Sequence, residues 1–192
     1  VSLPPEDPDE LREWWGRQPP EEQHRLASLW DVARPAREFV EQIWGEKSLT
    51  HAWPLVDPLL RQCLSQHWLY NNRSDVAASG WHVDEVTAAI IADQPSHPLW
   101  RHMERVQLRD LHSTWDDLRS WGTGTATRLY GPDIEAVTFF PPGLKVFEPG
   151  ATSVMYQFLM RYDVEAGWRV LNLWDYFPEP GWPPRLWPES RP

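Results

Sequence analysis

Met160 to Pro184 reads MRYDVEAGWRVLNLWDYFPEPGWPP: half of one strand, a turn, a whole second strand, and then prolines and tryptophans. Side chains alternate across a strand. On the first strand Val154, Tyr156, Phe158, Met160 and Tyr162 therefore share one face, and Met155, Gln157, Leu159 and Arg161 the other. On the second, Trp168, Val170, Asn172 and Trp174 oppose Arg169, Leu171 and Leu173, with residues 164–167 as the turn between the strands. Both faces are largely apolar, so helices or a second subunit should cover each. The proline run after Phe177 has polyproline character and is expected to strap across the domain, covering a bare surface or sheet edge.

Upstream, TATRLY and IEAVTFF, around a Gly131-Pro132-Asp133 turn, predict two more strands, and LKVF a short edge strand. Before Gly122 the period is helical. Phe39, Val40, Ile43 and Trp44 follow helical spacing behind Pro35, which reads as a first-turn proline. PLLRQCLSQHWLYNNR predicts a helix with Leu60, Cys63, Leu64, His67 and Trp68 on one stripe and a stop at Asn71-Asn72. Val83, Val86, Ile90 and Ile91 mark another helix, and a longer one runs from about Pro98 to Leu118 with Leu99, Met103, Val106, Leu111 and Trp115 inward. The expectation is α+β: a helix-rich N-terminal half followed by a curved, cone-like antiparallel sheet. Residues 1–34 read as a helical, proline-rich extension, 35–177 as the domain, and 178–192 as a Pro/Trp-rich tail.

The chain has 192 residues, enough for one domain with a full core. A net charge of −10 opposes nucleic-acid and anionic-membrane binding, which need a positive surface. One cysteine allows no intrachain disulfide and no cysteine zinc cluster, and it favours a reducing compartment. No apolar run approaches the roughly 20 residues of a membrane helix, and the first ten residues show no secretory signal. A cytoplasmic location is the expectation.

EFVEQIW…SLTHAWPLVDPLLRQCL followed by YGPDIEAVTFF…SVMYQFLMRYDVEAGWRVLNLW resembles the nuclear transport factor 2-like (SnoaL-like) cone superfamily. These segments cover roughly half of the chain. The resemblance implies a curved sheet wrapped over helices and enclosing a pocket. The family includes isomerases, dehydratases, cyclases and proteins without catalysis. The helical stretch from Ser74 to Trp121 and both proline-rich ends go beyond a minimal cone. The chain also resembles actinobacterial proteins ending in PGWPP, a likeness that implies no activity.

If the strands bend into a cone, Tyr156 and Asn172 point into its mouth, with Asp175 and Tyr176 at the rim and Trp68 as an aromatic wall. A buried amide and a phenol can orient a carbonyl or hydroxyl group, or they can satisfy each other and nearby backbone. His67 is the candidate acid or base. Cys63, one helical turn away, could meet it, although a cysteine on an apolar stripe is usually packing. His82, Asp84 and Glu85 diverge on a helix, and His97 and His102 lack the four-residue spacing of a zinc pair, so no metal and no cofactor is expected. Arg101, Arg105, Arg109 and His112 form a ridge suited to an anion or, more ordinarily, to pairing with Glu104 and Asp116. Gly122-Thr123-Gly124 precedes a strand and is no nucleotide loop. Two functions follow as expectations. One is a pocket for a small, partly apolar molecule, with metal-free acid–base chemistry if any. The other is a non-catalytic interaction or homodimerisation module.

Overall fold

The computed structural model describes residues 7–126, 133–143 and 154–186. The expected edge strand at 144–147, most of the turn at 131–133 and Trp187 lie outside the described residues. Helices precede an antiparallel sheet, so the α+β order read from the sequence holds.

Helix α1 (Pro8–Gly16) is capped by Asp7, whose carboxylate accepts the backbone N–H groups of Asp9 and Glu10 at 2.9 and 3.1 Å. Helix α2 (Pro20–Val40) starts at a proline but also runs through Pro35, so the separate helix expected to begin there does not exist. A proline inside a helix removes one hydrogen bond and strains the turn before it. Burial outweighs that cost here: Val32, Ala36, Phe39, Val40 and Ile43 are fully buried on one face, and the helix packs against all four strands. At a chain-average gain of about 1.5–3 kcal/mol per large apolar side chain, this stripe offsets the proline comfortably. A wider π-helical turn (Glu41–Gly45) ends the segment.

A short α3 (Leu49–Ala52) leads to Val56, which pairs in parallel with Val170 at the edge of the sheet, while Asp57 N–H donates to the Val170 carbonyl at 2.9 Å. Asp57 then caps α4 (Pro58–Asn71), accepting from the Leu59 N–H at 2.8 Å. The chain continues through α5 (Arg73–Ala78), which the sequence reading missed, then α6 (Val83–Ile91) and α7 (Trp100–Thr114). Among the described residues no helix is long and apolar enough to cross a membrane.

Strands β1 (Gly122–Ala126), β2 (Ile134–Phe140), β3 (Tyr156–Asp163) and β4 (Gly167–Asn172) form an open antiparallel meander in sequence order. Gly167 closes the last hairpin at φ 75°, a left-handed conformation that glycine adopts without strain. A register shift at Leu159/Met160 bulges β3 against β4. The inner face carries Val137, Phe139, Phe158, Met160 and Val170 into the main core. The outer face buries Ile134, Ala136, Leu159 and Leu171 in a smaller cluster with Leu59, within the chain itself.

Two ionic contacts, each with one buried partner, tie α4 to its surroundings. Asp57 takes two hydrogen bonds from Arg161 of β3. Arg61, fully buried, donates from Nε to the Val56 carbonyl at 2.9 Å and from Nη1 to the Ile91 carbonyl at 3.1 Å, and pairs with Asp93. Desolvation lowers its pKa below the usual arginine value, partly offset by Asp93.

Candidate functional site

Helix α4 presents Leu60, Leu64 and His67 at positions i, i+4 and i+7, which lie on one face of a helix. Helix α7 presents Gln107, Asp110, Leu111 and Thr114 with the matching i, i+3, i+4, i+7 spacing. Between these two faces and the end of β4 lies a cavity of about 500 Å³. Trp115, Leu173, Trp174 and Leu186 complete its apolar wall. Asp110, Ser113 and Thr114 are exposed and mark its mouth.

The cavity lies to the side of the sheet. Against α2 the inner face is packed solid: the Phe158 ring meets Phe39 at 5.8 Å, Phe139 at 4.8 Å and Trp115 at 5.8 Å. Tyr156 belongs to that packed region. Its ring lies 4.5 Å from Trp115 and 5.3 Å from Trp121, and its O–H donates to the Asp116 carboxylate at 3.2 Å. Burial first, then Asp116, push its pKa above the ordinary 10.0. Tyr156 is not among the cavity's lining residues.

Asn172 does line the cavity, but its amide is committed elsewhere. Nδ2 donates to the carbonyls of Tyr176 (2.6 Å) and Leu186 (2.9 Å), and Oδ1 accepts from the Leu173 N–H at 2.8 Å. Only 2 % exposed, Asn172 is the rivet that pins residues 173–186 to β4. That segment is closed by reciprocal backbone bonds between Glu179 and Arg185, at 2.8 and 2.9 Å, and tied to α4 by Gly181 N–H donating to Gln66 Oε1 at 3.0 Å. Tyr176 contributes its carbonyl to the rivet and its O–H to Glu179, and the Arg185 guanidinium stacks over its ring at 5.6 Å. Asp175 is exposed, and neither it nor Tyr176 lines the cavity. Trp68 is buried in the core with its ring edge-on to His102 at 5.6 Å, outside the lining set.

His67 sits on the cavity wall with Nε2 3.2 Å from Asn71 Nδ2. Burial pulls its pKa below the ordinary 6.5, and the Asp110 carboxylate partly opposes that. At neutral pH the ring is a neutral base. Cys63, one turn earlier, is fully buried, and desolvation pushes its pKa up to about 12, so it remains a thiol and packs. Burial and the raised pKa give Cys63 the packing role expected of a cysteine on an apolar stripe rather than that of a Cys–His nucleophile.

The polar group that the sequence reading missed is Gln107. It is 8 % exposed, lines the cavity, and its amide makes no hydrogen bond to a described residue. Its position was legible: Met103, Gln107 and Leu111 follow one another at four-residue steps along the inward stripe of α7.

The remaining candidates fall away from the cavity. His97 is buried, with Nδ1 accepting the Leu99 N–H at 3.2 Å, whereas His102 is exposed. Among the described residues no three His, Cys, Asp or Glu side chains converge as a metal site. On the arginine ridge Arg109 pairs with Asp110 at 3.1 Å, while Glu104 accepts from Thr50 and Asp116 from Tyr156, so those two acids do not neutralise the ridge as expected. His112 Nε2 lies 3.0 Å from the Ile43 carbonyl.

Compared with known proteins, the chain matches no family model, no curated protein and no solved structure.

Proposed function

We propose that the chain binds a small, partly apolar molecule in the cavity between α4, α7 and the end of β4. The observation that carries this is Gln107: a residue only 8 % exposed whose amide opens into about 500 Å³ of largely apolar space and makes no hydrogen bond to a described residue. Ligand pockets have this size and this ratio of apolar wall to a few polar groups, and an occupant with one hydrogen-bonding group would relieve the amide. The helices-then-meander order supports membership of the cone superfamily that the sequence resembles, with the pocket displaced from the sheet's inner face toward its end. Chemistry on an occupant would run through His67, the neutral base on the wall, without a metal.

A titration with N-phenyl-1-naphthylamine, a neutral apolar fluorophore, tests the reading. Saturable 1:1 enhancement is expected, and Leu64→Trp, which fills the cavity from α4, should abolish it while the fold is kept. Equal signal from both proteins, or no saturable signal from either, refutes the assignment.

One observation favours the second reading, an interaction or homodimerisation module. Trp15 and Trp30 stack at 5.2 Å between α1 and α2, and Trp30 remains 49 % exposed. Trp30→Gln would lower self-association in sedimentation velocity if that pair is a contact surface, and would leave the sedimentation coefficient unchanged if it is not.

A further inference from the structure

The charge inventory of the cavity narrows what it accepts. Among the described residues its lining contains one carboxylate, Asp110, and no lysine or arginine. Arg109 is the nearest cation in sequence, but its guanidinium is largely in solvent and both of its hydrogen bonds go to Asp110 Oδ1, at 3.2 and 3.1 Å. Oδ2 makes no bond to a described residue. An exposed pair of this kind is weakly held, so an incoming ammonium can compete with Arg109 for the carboxylate. His67 does not supply the missing positive charge, because burial holds its ring neutral at physiological pH.

The walls point the same way. Trp115 and Trp174 meet at 5.0 Å between ring centroids with planes inclined by 62°, and both line the cavity. Indole faces carry negative potential and attract ammonium groups. Gln107 offers an unpaired carbonyl oxygen as an acceptor. A net charge of −10 raises the local concentration of cations and lowers that of anions. A carboxylate ligand would lose its hydration, find no lysine or arginine among the described lining residues, and face Asp110.

Building on the reading of this cavity as a binding site, we propose that its occupant is an organic cation. The ligand would be a protonated amine on an apolar body, its nitrogen held between Asp110, the Gln107 carbonyl and the Trp115–Trp174 indoles.

Three probes with one body separate the possibilities: 4-phenylbutylamine, 4-phenylbutan-1-ol and 4-phenylbutyrate, titrated calorimetrically into the full chain at pH 7.5. The amine should bind about tenfold more tightly than the alcohol, the order expected of one partly screened charge with aromatic contacts, and the carboxylate should bind most weakly. Asp110→Asn should shrink the amine's advantage over the alcohol to the part supplied by the indoles, with the variant's far-ultraviolet circular dichroism showing that it is folded. Carboxylate binding equal to or tighter than amine binding overturns the proposal, as does an amine preference left undiminished by Asp110→Asn. If amine and alcohol bind equally and Leu64→Trp abolishes both, the cation assignment falls and the cavity reading stands. If none of the three binds saturably, both fall.

Discussion

Replacing Asn172 with leucine keeps the branching of the side chain and deletes its three hydrogen bonds. The variant leaves the carbonyls of Tyr176 and Leu186 and the N–H of Leu173 without their partner, in a region where Leu186 is 3 % exposed. At about 1 kcal/mol net for each bond, the lower end of what a buried unpaired group costs, the loss sums to about 3 kcal/mol. For a chain of this size that lowers Tm by about 6–12 °C. The loss is concentrated in the segment spanning 173–186, which Gly181 also ties to α4 through Gln66. Local opening should therefore rise more visibly than global unfolding: about 3 kcal/mol corresponds to a hundredfold or greater rise in the open population. Trypsin cleavage after Arg185 reads that population when reclosing is fast. Because the strap supplies Leu173, Trp174 and Leu186 to the cavity wall, Asn172→Leu should also weaken ligand retention without Asn172 having touched a ligand. A Tm within 2 °C of the parent, with unchanged cleavage at Arg185, would refute the rivet.

Cys63 should resist iodoacetamide in the folded protein at pH 8. A pKa of about 12 against the ordinary 9.0 leaves about a thousandfold less thiolate, and labelling at the rate of a free thiol would contradict the packing role. The His67 pKa is depressed on folding, so the unfolded chain binds the extra proton. Its stabilising contribution is complete above about 6.5 and is lost as pH falls through the folded value. His67→Gln should flatten this acid limb in urea titrations from pH 7.5 to 5, and an unchanged slope would contradict it. Asp57→Ala removes the cap of α4 and strands Arg161, which is about one-third exposed and can partly rehydrate. The expected cost is about 3 kcal/mol. A cost below 1 kcal/mol by urea unfolding would show that the pair is ornamental.

The elements legible in the sequence were those whose period is set by burial on one side. The stripe of Leu60, Cys63 and Trp68 reappears as a buried face of α4, and on β2 Val137 and Phe139 reappear together in the main core. Pro35 misled because a proline usually opens a helix, whereas here the buried face of α2 outweighs the lost hydrogen bond. Helix α5 was missed because Asn71-Asn72 reads as a stop and six residues carry too little pattern to contradict it. No periodicity places Arg61 in the interior, since its partners Val56, Ile91 and Asp93 are brought to it by tertiary folding. Alternation put Tyr156 and Asn172 on one face, but it could not show that Trp115 and Trp121 would fill the space over Tyr156 and leave the opening beside Asn172. Gln107 lay in plain view on an apolar stripe.

The indole N–H region of a ¹H–¹⁵N spectrum addresses the cavity most directly, because fourteen tryptophans report from across the chain. On titration with 4-phenylbutan-1-ol, the resonances of Trp115 and Trp174 should shift saturably and together with the side-chain amide of Gln107. Those of the exposed Trp30 and Trp182 should stay in place. Shifts confined to the exposed indoles, or none that saturate, would contradict a binding cavity between α4 and α7.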